Sequence, residues 1–214
     1  GDAGWMIRSQ FKHITPGMWL AYIRNKDNRN LNHKVQVAVK TSLLNSWFKN
    51  EGKDHAGKFN IYLRRLFNKT KLSSIEDLNA VIDKLAQTEL GDIKANPWGY
   101  CILRRKNREF SHCAEGGVPQ PQNASPNLCL SCINNLTKIS NIDYLVMESL
   151  QHLELLNIEN LIEIPMVFLR NSYDFIRPIA KQISELEPLH DALEGYETAI
   201  KAFETHVKKE VEHE

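Results

Sequence analysis

All four cysteines of this 214-residue chain fall in one stretch, at Cys101, Cys113, Cys129 and Cys132. The same stretch, residues 95–132, holds Pro97, Gly99, Gly116, Gly117, Pro119, Pro121 and Pro126 and shows little apolar periodicity. It therefore predicts a long irregular loop. A structureless loop of that length is unusual inside a domain and needs something to hold it. The spacing Cys101-x11-Cys113-x15-Cys129-x2-Cys132 offers a holder. A CxxC pair can present two thiolates to one ion, and two more cysteines at loop distance complete the tetrahedral sulfur set of structural zinc. Ligation free energy would offset the ordering entropy of a segment with few apolar contacts. Two disulfides in an exported protein, or four unrelated core thiols, are the alternatives. His112, beside Cys113, is a substitute ligand. No βαβ pattern surrounds the CxxC, which argues against a thioredoxin-type redox use.

The flanks are helical by pattern. Thr15 is placed to cap a helix that starts at Pro16 and continues through Ile23, followed by a polar stretch over 25–32. Apolar residues near a 3.6 period predict helices over 35–48 and 59–67. Ser73-x-x-Glu76 reads as a capping box for a third helix that runs toward Gly91. Further helices are expected over 143–156 and 173–186, with Pro165 near a start or kink. In the last helix Leu189, Leu193, Tyr196, Ile200, Phe203 and Val207 alternate spacings of four and three, the seam of a helix pair or coiled coil. The fold class expected is mainly α: a helical domain, an irregular zinc-stabilised loop region, and C-terminal helices forming a hairpin or coiled-coil-like pair.

The net charge of +1 conceals two opposite halves. Residues 1–110 carry 20 Lys and Arg against 10 Asp and Glu, whereas residues 111–214 carry 7 against 16. The basic half suits a polyanion, since each cation placed on a phosphate releases condensed counterions. Arg104, Arg105, Lys106 and Arg108 form a dense cluster between the first two cysteines, and Arg64 and Arg65 add to it from the 59–67 helix. These six are the candidate DNA-binding residues, reaching phosphates without reading sequence. The acidic half suits contact with protein. No apolar run approaches the roughly 20 residues of a membrane span, and the start Gly1-Asp2-Ala3-Gly4 does not resemble a signal peptide but a cut end. A cytoplasmic location and no membrane partner are expected.

The segment Phe11-Lys12-His13-Ile14-Thr15-Pro16-Gly17-Met18-Trp19-Leu20-Ala21-Tyr22 resembles the end of the catalytic domain of tyrosine recombinases, the phage-type integrases. In that family a histidine stands nine residues before the nucleophilic tyrosine, the separation of His13 and Tyr22; the usual glycine before the histidine is Lys12 here. Some integrases of mobile elements continue with a helical extension and a four-cysteine segment. Asn96-Pro97-Trp98-Gly99-Tyr100-Cys101, then Cys113, then Asn127-Leu128-Cys129-Leu130-Ser131-Cys132 are similar to it in order and distance. The resemblance spans residues 5 to about 135. It implies that Tyr22 attacks a DNA phosphate to form a 3′-phosphotyrosyl bond, with His13 donating to the phosphate oxygens. The family also needs two arginines, one in an H-x-x-R box, and none of the eight histidines here has Arg three residues later. Alone, this chain is not expected to catalyse.

The organisation expected is 1–32, end of the catalytic domain; 33–94, basic helical region; 95–135, four-cysteine loop; 136–214, acidic helical region. The partners expected are duplex DNA and other recombinase protomers, the latter through the C-terminal helices. The alternative function is a non-catalytic zinc-stabilised module that binds DNA or protein.

Overall fold

The computed structural model describes residues 26–70, 74–157 and 161–212. His13, Tyr22 and the Thr15–Pro16 helix start lie outside the described residues. The chain is mostly helical, as expected, but it also carries a four-stranded antiparallel sheet that the pattern did not suggest.

Helix α1, Lys26–Lys49, is longer than its apolar period and runs unbroken through the polar stretch and across the 32/33 boundary. Its C-terminal half buries Leu43, Leu44 and Trp47, whereas Val35 and Val39 of the expected face are exposed. The turn after it is closed by one amide. Asn60 accepts from Trp47 Nε1 at 2.6 Å and donates to the carbonyls of Gly52 and His55. Strand β1, His55–Ala56, follows, and helix α2, Lys58–Lys69, buries Phe59, Leu63 and Phe67 four residues apart on one face. Helix α3, Ile75–Lys84, is capped by Ser74, which accepts from the Asp77 N–H at 3.1 Å. The cap thus falls one residue later than the Ser73 box. The acidic first turn, Glu76 and Asp77, complements the helix dipole.

A π-helical turn, Leu85–Glu89, then leads into strand β2, Leu90–Asn96. Pro97 and Trp98 turn the chain into β3, Gly99–Arg104, with Lys94 opposite Cys101 and Asn96 opposite Gly99. Gly99 sits at φ 140°, and a Cβ there would meet the Leu136 carbonyl at 2.8 Å, so a side chain is excluded by both conformation and space. Residues 95–132 are therefore not structureless. They hold all of β3, a 3₁₀ segment (Arg105–Phe110), a hairpin of the two-residue strands β4 (Ala114–Glu115) and β5 (Val118–Pro119), and the short helix α4, Pro126–Cys129. Strand β6, Asn135–Lys138, completes a sheet of order β1-β6-β3-β2. A first core lies between this sheet and α1–α3, built on Trp47, Phe59, Leu63, Ile82, Ile102 and Leu136.

The second core belongs to a three-helix bundle of α5 (Ile142–Leu156), α6 (Met166–Leu186) and α7 (Leu193–Glu212). Leu145, Leu156, Leu169, Ile176, Ile179, Ile183, Tyr196 and Phe203 fill it. The seam read for a hairpin or coiled coil is thus used inside the chain: Tyr196 and Phe203 are buried, while Leu189 precedes the helix and is 95% exposed. The two parts meet where Ala56 and Leu130 join the bundle core and Gln182 Nε2 donates to the Leu130 carbonyl at 2.7 Å. Among the described residues no helix is long and apolar enough to cross a membrane.

Candidate metal centre

The sheet and the turns around it bring the four cysteines together. Cys101 stands in the middle of β3, held between Lys94 of β2 and Asn135 of β6. Cys113 precedes the β4–β5 hairpin, its carbonyl accepting from the Gln120 N–H at 3.1 Å. Cys129 ends α4, where its N–H donates to the Ser125 carbonyl at 2.9 Å. The chain then folds back, because the Cys132 N–H donates to the Cys129 carbonyl at 2.9 Å and the Asn135 N–H to the Cys132 carbonyl at 3.2 Å. That double turn places both CxxC thiols on one side and delivers the backbone into β6.

All four cysteines line a single cavity of about 70 Å³, together with Asp92, Lys94 and Ser111. None is in a disulfide. Burial pushes the Cys101 thiol up to about 12, with the nearby Cys132, Cys129 and Cys113 adding to the shift and the Lys94 ammonium opposing it. Burial also raises Cys129, against which the Trp98 indole N–H works. That N–H is itself buried without a hydrogen-bond partner, so it faces the thiol from outside bonding geometry. Among the described residues no three His, Cys, Asp or Glu side chains are drawn together as a closed ligand cage.

The donor set suits zinc chemically: four sulfurs on one small cavity, with donors around them. Four thiolates around a divalent ion leave a net charge of −2, and such sulfurs accept N–H bonds from their surroundings. Trp98 Nε1 is a buried donor that lacks an acceptor, and leaving such a group unpaired costs about 1–3 kcal/mol. Lys94, whose ammonium donates to the Pro121 carbonyl at 2.9 Å, supplies positive charge beside Cys101. His112 is exposed, hydrogen-bonded to Ser131 at 3.2 Å, and does not line the cavity.

The six candidate DNA-binding cations do not form one patch. Arg104 is half-buried with its guanidinium 4.6 Å from the centre of the Tyr62 ring; burial lowers its pKa, partly offset by Tyr62 and Cys132. Arg105 Nε donates to the Leu90 carbonyl at 3.3 Å. Lys106 and Arg108 are exposed on the 3₁₀ segment. Arg65 lies one turn from Tyr62 on α2 and so shares the side of Arg104, whereas Arg64 reaches back to the Gly52 carbonyl at 3.1 Å. The residues that pattern reading missed are Trp98 and Lys94. The Asn96-Pro97 dipeptide, a turn signal between two short runs, points to the hairpin that places them. No family model, no curated protein and no solved structure matches the chain.

Proposed function

We propose that this chain is the C-terminal part of a tyrosine-type site-specific recombinase, in which a zinc-stabilised, basic lobe contacts duplex DNA. The observation that carries the reading is the convergence of Cys101, Cys113, Cys129 and Cys132 on one cavity. These are the cysteines on which the resemblance rests. Zinc would be held by the four sulfurs and would act structurally, replacing the apolar core that residues 105–134 lack. Tyr22 would supply the nucleophilic oxygen and His13 a donor to the phosphate, while the arginines that complete the phosphate site would come from sequence upstream. Exposed Lys106, Arg108 and Arg65, with Arg105 at the base of the segment, would neutralise phosphates. The acidic bundle would meet protein, including other protomers; its α7 seam is already used internally, so the contact would use an outer face.

Covalent capture tests the reading. Joined to its upstream sequence, the protein is expected to form a bond to a suicide DNA substrate. Tyr22→Phe should abolish that bond and leave affinity nearly unchanged. His13→Ala should slow it by roughly 10- to 1,000-fold, as when one donor to a developing anion is lost. Capture by the Tyr22→Phe protein would remove the nucleophile assignment and favour the non-catalytic zinc module. That second reading draws on the same observation, since all four cysteines line one cavity whether or not Tyr22 is a nucleophile.

A further inference from the structure

The 3₁₀ segment Arg105–Phe110, kinked at Asn107 (φ −123°, ψ 19°), buries none of its residues. At its end the Phe110 ring is 61% exposed. The ring is not on a loose tail. The Ser111 N–H and Oγ both donate to the Arg108 carbonyl, at 3.1 and 2.7 Å. Asn134 Nδ2 donates to Ser111 Oγ at 2.9 Å, and Asn134 Oδ1 accepts from the Arg104 N–H at 3.4 Å. Ser111 is buried and lines the cysteine cavity. The Arg105 side chain ties the near end of the segment to Leu90, where the buried Lys40 ammonium also donates, at 3.3 Å.

The same short segment carries the exposed cations Arg105, Lys106 and Arg108. The acids beside it are Glu109, against Gly117, and exposed Glu115 of the adjoining strand β4. The segment therefore presents a flat apolar face inside a mostly positive rim. Phosphate contact alone needs cations and no aromatic ring. A partner that uses both features is a polyanion that also offers flat π faces, which describes nucleic acid.

We infer that Phe110 is a wedge that stacks on a base at an unstacked step of DNA held along this cationic rim. The inference rests on the DNA-binding reading above and deepens it, assigning to this segment a distortion of the duplex and not only an electrostatic grip. Unstacking is cheapest at pyrimidine–purine steps, so those are the steps such a wedge would select.

The test uses the full chain, purified with its metal, and duplexes carrying 2-aminopurine at successive positions including TA steps. Binding should brighten the probe at one step. Phe110→Ala should remove the brightening and weaken binding roughly 5- to 150-fold, the range for losing one stacked base. The dependence of affinity on salt should stay as steep, because every cation remains. Phe110→Leu should keep part of the signal, since aliphatic wedges also unstack bases. Melting of Phe110→Ala should match the parent. Salt-dependent binding with no brightening at any step, or unchanged affinity in Phe110→Ala, would overturn the wedge and leave the DNA reading standing. So would early melting of Phe110→Ala, which would make the ring structural. Absence of binding at low salt would overturn both.

Discussion

Residues 105–134 and the C-terminal bundle are held by different means. The bundle closes over a continuous apolar core, from Leu145 and Leu156 through Ile176, Ile179 and Ile183 to Tyr196 and Phe203. Ser149 pairs there with the Tyr196 hydroxyl and His152 with Ser172 at 2.9 Å, while Gln182 Oε1 is buried without a hydrogen-bond partner. Across 105–134 the buried apolar side chains are Leu130 and two of the cysteines, with Ser111 and Asn134 beside them. Short turns close the backbone there, and the side chains converge on sulfur instead of on hydrocarbon. Apolar burial scales with area, so the bundle has a hydrophobic stabilisation that the cysteine segment lacks. On the reading proposed above, a metal would supply what the few buried apolar side chains of the segment do not.

The largest effect expected is that of metal withdrawal. Structural zinc in small domains contributes about 10–16 kcal/mol of apparent binding free energy, most of it spent on folding. Chelation, or Cys129→Ser, should therefore abolish amide-exchange protection across 105–134 while leaving α5–α7 protected. Simultaneous loss in both regions would break the comparison, making them one cooperative unit. Next in size is a cavity in the bundle: Ile179→Ala, at a fully buried site, should cost about 2–5 kcal/mol in denaturant unfolding and leave metal content unchanged.

Acid should act more gently, through one histidine of the sheet and one of the bundle. Burial lowers the pKa of His55, against the pull of Asp54 and with the help of Lys138; burial likewise lowers His152, against Glu148. A histidine whose folded pKa lies below its unfolded value of about 6.5 favours folding fully above that pH. The contribution is lost as pH falls toward the folded pKa, because the unfolded chain binds the proton more readily. Stability should fall on acidification below about pH 6.5, and His55→Gln and His152→Gln should each flatten the slope. A rise in stability over that range would reverse the sign. The smallest effect is at a cap: Ser74→Ala should cost about 1 kcal/mol and fray the start of α3 without touching the cysteine lobe.

The same contrast explains what pattern reading finds and what it misses. The helices of the bundle are legible because leucines and isoleucines recur three and four residues apart on buried faces. The start of α6 at Met166, after Pro165, is partly legible, since proline marks the boundary without saying where the apolar face begins. The sheet is illegible for a physical reason. β6 buries Asn135 and Thr137, which bond each other at 2.9 Å, and Thr137 Oγ1 donates to the Trp98 carbonyl at 3.3 Å. A four-residue strand whose one buried apolar side chain, Leu136, sits between two buried polar ones carries too little apolar alternation to be read. In β2 an irregularity in register between Leu90 and Ile93 breaks the period of two. The cysteine set itself is legible from spacing alone. The cations around it are only half so, because Arg104 and Arg105 are tied to Tyr62 and Leu90 by contacts that no linear pattern encodes.

The central claim is that one zinc ion holds residues 105–134 in place of a core. Native mass spectrometry of the purified chain, paired with thiol alkylation, reads it most directly. A single four-sulfur site predicts about one zinc per chain and cysteines that resist alkylation until the metal is removed. A folded, metal-free chain whose cysteines alkylate at once, or whose mass shows two disulfides, would contradict it.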